Sequence, residues 1–169
     1  CILHGWSRGS TEMQKIVRLY RSHDCKEIVN LFYDTVHTIN SKDYSSAQLD
    51  AWAPEENNID MWDKSLSSTY TVVIEIKGSI VGFGNLDKTG YLDQLYVHKD
   101  FQGQGIATII VDELEKYAQK HDITIITTEA SITAKPFFEK RGYKTVKQQS
   151  VERKGLTLIN FIMRKLLVK

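Results

Sequence analysis

The feature that most constrains this chain is a glycine-rich turn between an apolar run and a helical pattern. The run from Leu92 to Val97 predicts a strand, and Gln102-Gly103-Gln104-Gly105-Ile106-Ala107 follows it after a polar turn. From Ile106 to about Ala118, apolar residues recur at helical spacing. Glycines let the backbone approach an anion, and the first helical turn offers unpaired N–H groups and a positive dipole end. The segment therefore predicts a phosphate-binding turn.

The residues around the turn leave two other interpretations open. A Gly-x-Gly turn before a helix can be only a tight connection with no ligand. A dinucleotide-binding turn would follow the first strand of a repeated strand–helix–strand unit, with an acidic residue about 20 positions later. Here the turn follows a series of predicted hairpins across 70–98, so the sequence disfavours a dinucleotide site.

Composition excludes several functional classes. A chain of 169 residues with 41% apolar and 25% charged residues is typical of one globular domain. A net charge of +1 without a basic cluster argues against a nucleic-acid partner. No apolar run approaches the ~20 residues that span a membrane, and no metal site is predicted.

The N-terminal segment and the cysteines bear on domain limits and compartment. Residues 1–12 lack periodicity and the layout of a signal peptide, so we interpret them as an extension or expression remnant ahead of a single domain over 13–169. Cys1 and Cys25 are the only cysteines. This excludes a disulfide framework and predicts a reducing, cytoplasmic location.

Periodicity predicts a mixed order of strands and helices. Alternation over 15–21 predicts a first strand, and Asp24 with Glu27 predicts a capping box for a helix that ends near Ile39. The other predicted elements are helical pieces over Ser46–Trp52 and Ile59–Leu66, strands over Tyr70–Ile76, Ile80–Leu86 and 91–98, a helix over 106–118, a strand over Ile123–Thr128, a short helix over 133–140, and strands over Tyr143–Gln148 and Leu156–Arg164. This order is typical of an α+β fold or an α/β sandwich.

Three segments together resemble the GNAT superfamily of N-acetyltransferases. The glycine turn satisfies the family's acyl-CoA signature, Arg/Gln-x-x-Gly-x-Gly/Ala, and Leu95-Tyr96-Val97 before it matches the family's apolar-x-Val strand end. Downstream, Ala134-Lys135-Pro136-Phe137-Phe138-Glu139-Lys140-Arg141-Gly142-Tyr143 is similar to the family's A-x-x-F-Y-E-K-x-G-F segment. The resemblance covers roughly residues 14–165.

The resemblance implies a fold and a cosubstrate. The fold would be a mixed, mostly antiparallel sheet with helices on both faces, splayed between the fourth and fifth strands. The cosubstrate would be acetyl-CoA, with its pyrophosphate on the backbone of the turn and its pantetheine arm along the preceding strand. The implied coenzyme A contacts are Leu95, Tyr96, Val97, Gln102, Gly103, Gln104, Gly105, Ile106, Ala107, Thr108, Ser131, Phe137 and Phe138.

The implied reaction is direct attack of a primary amine on acetyl-CoA in a ternary complex. A lysine-type amine has a pKa of about 10.4, so a base must remove a proton. Asp93 and Glu129 are candidates beside the splay. The alternative for Asp93 is a solvated strand carboxylate, and for Glu129 it is a helix cap or salt-bridge partner, which the sequence slightly favours. His37 is a third candidate, with a structural role on its helix as the alternative.

One position departs from the family pattern. The family's general-acid tyrosine aligns with Phe138, which cannot donate a proton. Either thiolate leaves unaided, or water or another tyrosine serves, with Tyr143 and Tyr96 as the nearest options. Ser131 stands where many relatives carry an asparagine that contacts pantetheine.

The acceptor side is less determined. In the family, the region corresponding to 37–66 covers the acceptor, and here it carries acids together with Tyr44 and Trp52, which suits a cationic amine. The alternative is a small aromatic core with solvated acids. A small-molecule or protein amine, a longer acyl donor and a non-catalytic acyl-CoA sensor all stay open. The oligomeric state stays open too, although the final strands commonly form dimer surfaces in this family, so a homodimer is one possibility that the resemblance implies.

Overall fold

The computed structural model describes residues 14–167, so the predicted extension over 1–12 lies outside the described residues. The elements, in chain order, are β1 (Lys15–Leu19), α1 (Cys25–Thr38), α2 (Ser46–Trp52), α3 (Ile59–Ser67), β2 (Tyr70–Ile76), β3 (Ser79–Leu86), β4 (Tyr91–Val97), α4 (Ile106–Lys120), β5 (Ile125–Ser131), α5 (Lys135–Lys140), β6 (Lys144–Arg153) and β7 (Leu156–Leu166).

A seven-stranded sheet in the order β1-β2-β3-β4-β5-β7-β6 lies at the centre of the fold. All neighbouring pairs are antiparallel except β4 and β5, which run parallel. Strand alternation gives the sheet two buried faces: Val72 and Ile74 belong to one core and Val73 to the other. Helices α4 and α5 cover the first face, and α1, α2 and α3 cover the second. The predicted α+β class and mostly antiparallel sheet are confirmed.

Two glycines on β3 let α4 pack close to the sheet. A methyl group at Gly82 would lie 2.7 Å from Cγ2 of Ile106, and one at Gly84 would lie 2.7 Å from Cγ2 of Ile110. Any larger side chain would push the helix outward. The first turn of α4 is therefore held against β3, beside the end of β4.

Several predicted details were wrong. Asp24 makes no capping hydrogen bond to α1; it accepts from Arg18, and Glu27 accepts from the N–H of Ile80. Strand β5 begins two residues later than predicted, because the N–H of Ile123 donates to Ala118 at the end of α4. Strand β6 extends to Arg153, since its polar second half still pairs with β7. None of the helices among residues 14–167 combines the length and apolarity that a membrane crossing requires.

Candidate active site

The parallel pair β4 and β5 separates almost as soon as it forms. Paired residues are Tyr91 with Thr127 and Leu92 with Thr128, and the pairing ends there. This confirms the predicted splay between the fourth and fifth strands. Beyond Leu92 the edge of β4 faces a gap.

A β-bulge lies at the start of the gap. The register between β3 and β4 shifts from Leu86–Leu92 to Asn85–Gln94, which leaves Asp93 as the extra residue. The buried side chain of Asn85 provides a hydrogen-bond partner for the backbone at the bulge, because its Oδ1 accepts the N–H of Gln94 at 2.8 Å. Bulges increase local twist and redirect the strand, so this one turns β4 away from β5.

The ladder pattern shows which backbone groups face the gap. The N–H of His98 donates to Val81 on β3 at 2.8 Å. Because ladder hydrogen bonds alternate along an antiparallel pair, the N–H groups of Leu95 and Val97 point away from β3. The carbonyl of Val97 accepts from Thr35 Oγ1 at 3.1 Å and from Gln102 Nε2 at 2.7 Å, which ties the glycine turn to the end of β4.

The glycine turn has the backbone conformation that an anion site needs. Gly103 and Gly105 adopt φ of +74° and +77°, and a Cβ at either residue would project into open space. Gly105 is the N-cap of α4 and carries no capping side chain, and the first turn of this helix has no acidic residue. The leading N–H groups of α4 are therefore available to a ligand.

A cavity of about 410 Å³, here called the turn cavity, opens between this turn and the splay. Its walls come from α1, β4, the turn, the start of α4 and the segment after β5. The residues that line it are Thr35, Ile39, Asn40, Leu95, Tyr96, Val97, Phe101, Gln102, Gly103, Gly105, Ile106, Ala107, Thr108, Ser131, Thr133, Ala134 and Phe137. Of the predicted coenzyme A contacts, Gln104 and Phe138 are outside this set.

A second cavity, of about 140 Å³, lies on the other side of the splay. We call it the carboxylate cavity, since Asp93 and Glu129 both line it. Its lining residues are Tyr44, Trp52, Tyr91, Asp93, Gln94, Tyr96, Glu129, Ser131, Val151, Arg153, Leu158, Ile159 and Asn160. Tyr96 and Ser131 line both cavities, so the two cavities adjoin at the splay.

The two carboxylates of this cavity have different surroundings. The Asp93 side chain is exposed at the bulge, but partial desolvation by nearby protein and repulsion from the carboxylates of Asp87 and Glu129 raise the pKa of Asp93 above its ordinary value. Glu129 instead accepts hydrogen bonds from Gln149 Nε2 at 2.9 Å and from the Tyr91 hydroxyl at 3.3 Å. The two carboxylates therefore differ: Glu129 has two hydrogen-bond donors beside it, and Asp93 binds a proton more readily than an ordinary aspartate.

Tyr96 lies at the junction of the two cavities. Desolvation by the surrounding protein raises the pKa of Tyr96 well above its usual range, and the nearby Trp52 side chain opposes that shift. The ring packs edge-on against Phe32, with centroids 5.1 Å apart. A tyrosine with a raised pKa keeps its proton near neutral pH, so the Tyr96 hydroxyl can donate a hydrogen bond at this junction.

Two other predicted residues have their polar groups occupied. The Tyr44 hydroxyl donates to the carbonyl of Ile159 at 2.6 Å and accepts the N–H of Ile132 at 3.0 Å. The Ser131 hydroxyl accepts the N–H of Ala134 at 3.0 Å. Both residues shape the carboxylate cavity and hold its walls together.

Besides Gln104, three predicted residues lie away from both cavities. His37 Nε2 is 2.7 Å from the carbonyl of Ala53, so this ring joins α1 to the end of α2. The buried Tyr143 donates to Glu115 Oε2 at 2.8 Å, on the side of the sheet that α4 covers. Phe138 is only 2% exposed and packs against Tyr143, whereas its neighbour Phe137 lines the turn cavity. The structure therefore does not bring His37, Tyr143 or Phe138 to the site.

Sequence reasoning missed Arg153 and Asn160, which reach the carboxylate cavity from the hairpin of β6 and β7. Neither residue belongs to a recognisable motif. The register that pairs Asn160 with Ser131 across β5 and β7 brings them there, and no local pattern records it.

Comparison with known proteins identifies the family. Residues 40–166 match the family model described as the acetyltransferase (GNAT) domain. The chain is 34% identical over 148 residues to the Escherichia coli (strain K12) protein named uncharacterized N-acetyltransferase YafP, across 88% of this chain and 93% of that protein. The chain belongs to the GNAT acetyltransferase family, and it is an acyltransferase.

Solved structures agree with this family. A GCN5-related N-acetyltransferase from Rhodopseudomonas palustris superposes with a TM-score of 0.88 at 32% identity, over 92% of this chain and 98% of that one. The PaiA N-acetyltransferase of Thermoplasma acidophilum, solved in complex with coenzyme A, superposes with a TM-score of 0.76 at 16% identity, over 92% of this chain and 100% of that one. The second likeness supports the fold alone.

Proposed function

We propose that residues 13–169 form one N-acetyltransferase domain, which transfers an acetyl group from acetyl-CoA to a primary amine in a ternary complex. The observation that carries this proposal is the meeting of the turn cavity and the carboxylate cavity at Tyr96 and Ser131. A donor on one side of the splay and an amine on the other would reach each other only there.

The turn cavity suits coenzyme A in shape and chemistry. Its glycines leave open space above the backbone, and the free N–H groups and dipole of α4 favour a pyrophosphate. The pantetheine arm would follow the gap-facing edge of β4, where the N–H groups of Leu95 and Val97 are directed. PaiA, which shares the fold, was solved with coenzyme A bound.

Asp93 is the proposed general base. The amine gives its proton to the Asp93 carboxylate and attacks the thioester carbonyl, so a C–N bond forms and the C–S bond breaks. A strand N–H at Leu95 or Val97 would stabilise the negative charge that develops on the carbonyl oxygen. The raised pKa of Asp93 brings its basicity closer to neutral pH, where proton transfer is most effective.

Tyr96 is the proposed partner of the leaving thiolate. A thiol has a pKa of about 8.5, well below that of a buried tyrosine, so Tyr96 does not give up its proton to the sulfur. It stabilises the thiolate by donating a hydrogen bond, and the thiolate takes its proton from solvent. This role replaces the general acid that Phe138 cannot supply.

Release of free thiol from acetyl-CoA, measured with a panel of amines and with an amine-free blank, tests the function. Amine-dependent release with mass-spectrometric detection of the N-acetyl product is the expected result. Tight coenzyme A binding without turnover of any amine would instead indicate an acyl-CoA sensor. Faster turnover of longer acyl-CoA donors would indicate transfer of a larger acyl group.

A further inference from the structure

The carboxylate cavity continues into a third cavity. Trp52, Gln94 and Arg153 line both, and the third cavity has a volume of about 560 Å³. Its remaining walls are mostly large apolar side chains: Phe32, Met61, Trp62 and Leu66, with Asn57 and Ser65 among them. We call it the aromatic cavity. An acceptor that fills both cavities needs a polar end and an apolar body.

Arg153 introduces a positive charge where the two cavities join. Within residues 14–167 this exposed guanidinium forms no ion pair, as is also true of Arg21 and Arg164, whereas Arg18 and Arg141 are each bound to carboxylates. Its charge is near enough to lower the pKa values of Tyr91 and Tyr96, against the stronger effect of burial. The site therefore holds two carboxylates on one wall and an unpaired cation on another.

Asn160 adds a second unpartnered group. Its Oδ1 is buried and accepts no hydrogen bond from any described residue. Buried polar atoms without a partner are rare in native proteins. A half-turn of the Asn160 amide would exchange Oδ1 with Nδ2 and present the oxygen to the carboxylate cavity that this residue lines, where an amine could donate to it. Asn160 faces Ser131 across the β5–β7 pair, so it lies beside the junction at which acetyl transfer is proposed.

We propose that the acceptor is a free amino acid with an apolar, preferably aromatic, side chain. Its amine would donate to Asn160 Oδ1 and lie beside Asp93 and Glu129, its carboxylate would pair with Arg153, and its side chain would enter the aromatic cavity. This inference rests on the proposed function. Arginine and a carboxylate form bidentate hydrogen bonds, which give both affinity and orientation.

The charge arrangement disfavours the other acceptor classes. A polyamine would bring a second cation towards Arg153. A protein N-terminus or a lysine side chain has no free carboxylate at the required place. An uncharged aromatic amine would fill the aromatic cavity but leave Arg153 unused.

Three probes of one skeleton test the proposal: L-phenylalanine, L-phenylalaninamide and phenethylamine, each with acetyl-CoA in the thiol-release assay. We expect kcat/KM for phenylalanine to exceed that of the other two about tenfold to a hundredfold, since a charge-assisted pair is lost in both. Arg153→Gln should remove this preference by lowering only the phenylalanine value, and Arg153→Lys should restore part of it. Lys154→Gln, which removes the neighbouring cation of the same hairpin, should leave all three values unchanged.

Asn160→Ala separates the amine contact from the carboxylate contact, because it should lower kcat/KM for all three probes to a similar extent. Turnover of phenethylamine with no preference for phenylalanine would overturn the acceptor proposal and leave the proposed function standing. An equal loss for all three probes in Arg153→Gln would show a structural role and would also overturn it. If no amine is acetylated although coenzyme A binds, the proposed function itself is wrong.

Discussion

The two sides of the splay are constructed from different parts of the chain. The turn cavity is lined largely by one continuous segment, from the end of β4 to the start of α4, and its chemistry is supplied by backbone N–H groups. The carboxylate cavity takes side chains from α2, β4, β5, β6 and β7. A site made of backbone tolerates many side chains but few changes of conformation. A site made of side chains depends on which strands are neighbours.

The largest expected effect is on coenzyme A binding in the turn cavity. Gly105→Val should lower coenzyme A affinity by about a hundredfold or more, because the side chain would fill the space above the turn and displace N–H donors from the pyrophosphate. Titration calorimetry with coenzyme A measures this directly.

Gly78→Val is the matched control for backbone strain. Gly78 has φ of +79°, also has open space around its missing Cβ, and lies in the β2–β3 turn outside the described cavities. Both variants pay the cost of a left-handed β-branched residue, about 1–2 kcal/mol. Equal coenzyme A affinity in the two variants would contradict the assignment of the turn.

The next largest effect is expected on kcat when residues of the carboxylate cavity are replaced. Asp93→Asn should lower kcat by about a hundredfold, the usual contribution of a positioned base, and should remove the acidic limb of the pH–rate profile. Glu129→Gln should have a smaller effect, since its oxygens already accept hydrogen bonds from Tyr91 and Gln149. A larger loss in Glu129→Gln would reverse the two roles.

A smaller effect is expected at the junction of the cavities. Tyr96→Phe should lower kcat by about tenfold, the value of one hydrogen bond to a charged group, with little change in coenzyme A affinity. Tyr143→Phe makes the same chemical change at a residue whose hydroxyl bonds Glu115 away from the cavities, so it should affect stability and not kcat. Unchanged kcat in Tyr96→Phe would indicate that thiolate leaves unaided.

The smallest expected effect is on stability. The folded-state pKa of Asp93 is raised, so the stability linked to this group is fully present below about pH 4, the ordinary range of an aspartate, and is lost as pH rises through the raised value. Asp93→Asn removes that loss, so its Tm should exceed that of the parent protein at pH 7. The difference should disappear near pH 3.5. A lower Tm at neutral pH would show that Asp93 is a stabilising partner instead.

Asp24 and Asp93 show why the properties of the carboxylates could not be predicted from sequence. The sequence predicts Asp24 as a helix cap and Asp93 as a strand residue beside the splay. In the structure Asp24 is buried, yet the hydrogen bonds from Arg18 and from the N–H of Arg21 outweigh burial and lower its pKa. Asp93 lies at a bulge beside other carboxylates, and its pKa is raised. The surroundings decide the sign of the shift: Arg18 and the N–H of Arg21 lower the pKa of Asp24, whereas nearby protein and other carboxylates raise that of Asp93. One of those carboxylates, Glu129, is on β5 and is distant in sequence.

The position of the family's acidic tyrosine gives a similar lesson. The aligned residue, Phe138, faces the core with Tyr143, while Phe137 faces the turn cavity. On a short helix, neighbouring residues point in directions about 100° apart, so an alignment shifted by one residue exchanges core and cavity. Tyr96 was named among the nearest alternatives from sequence, but its position between two cavities appears only when β4 leaves β5.

Local patterns along the chain are enough to predict the strand, the glycine turn and the helix that line the turn cavity, because each depends on local propensity: apolar alternation, glycine at positive φ and helical periodicity. The same patterns predict the order of elements and the family. Which side chains meet across the splay depends instead on how the strands are arranged in the sheet. Arg153 and Asn160 are about 60 residues beyond Asp93 along the chain, and they reach its cavity because β7 inserts between β5 and β6 in the sheet. Strand order and register are set by burial of whole faces, so they leave no local pattern from which an acceptor site could be read.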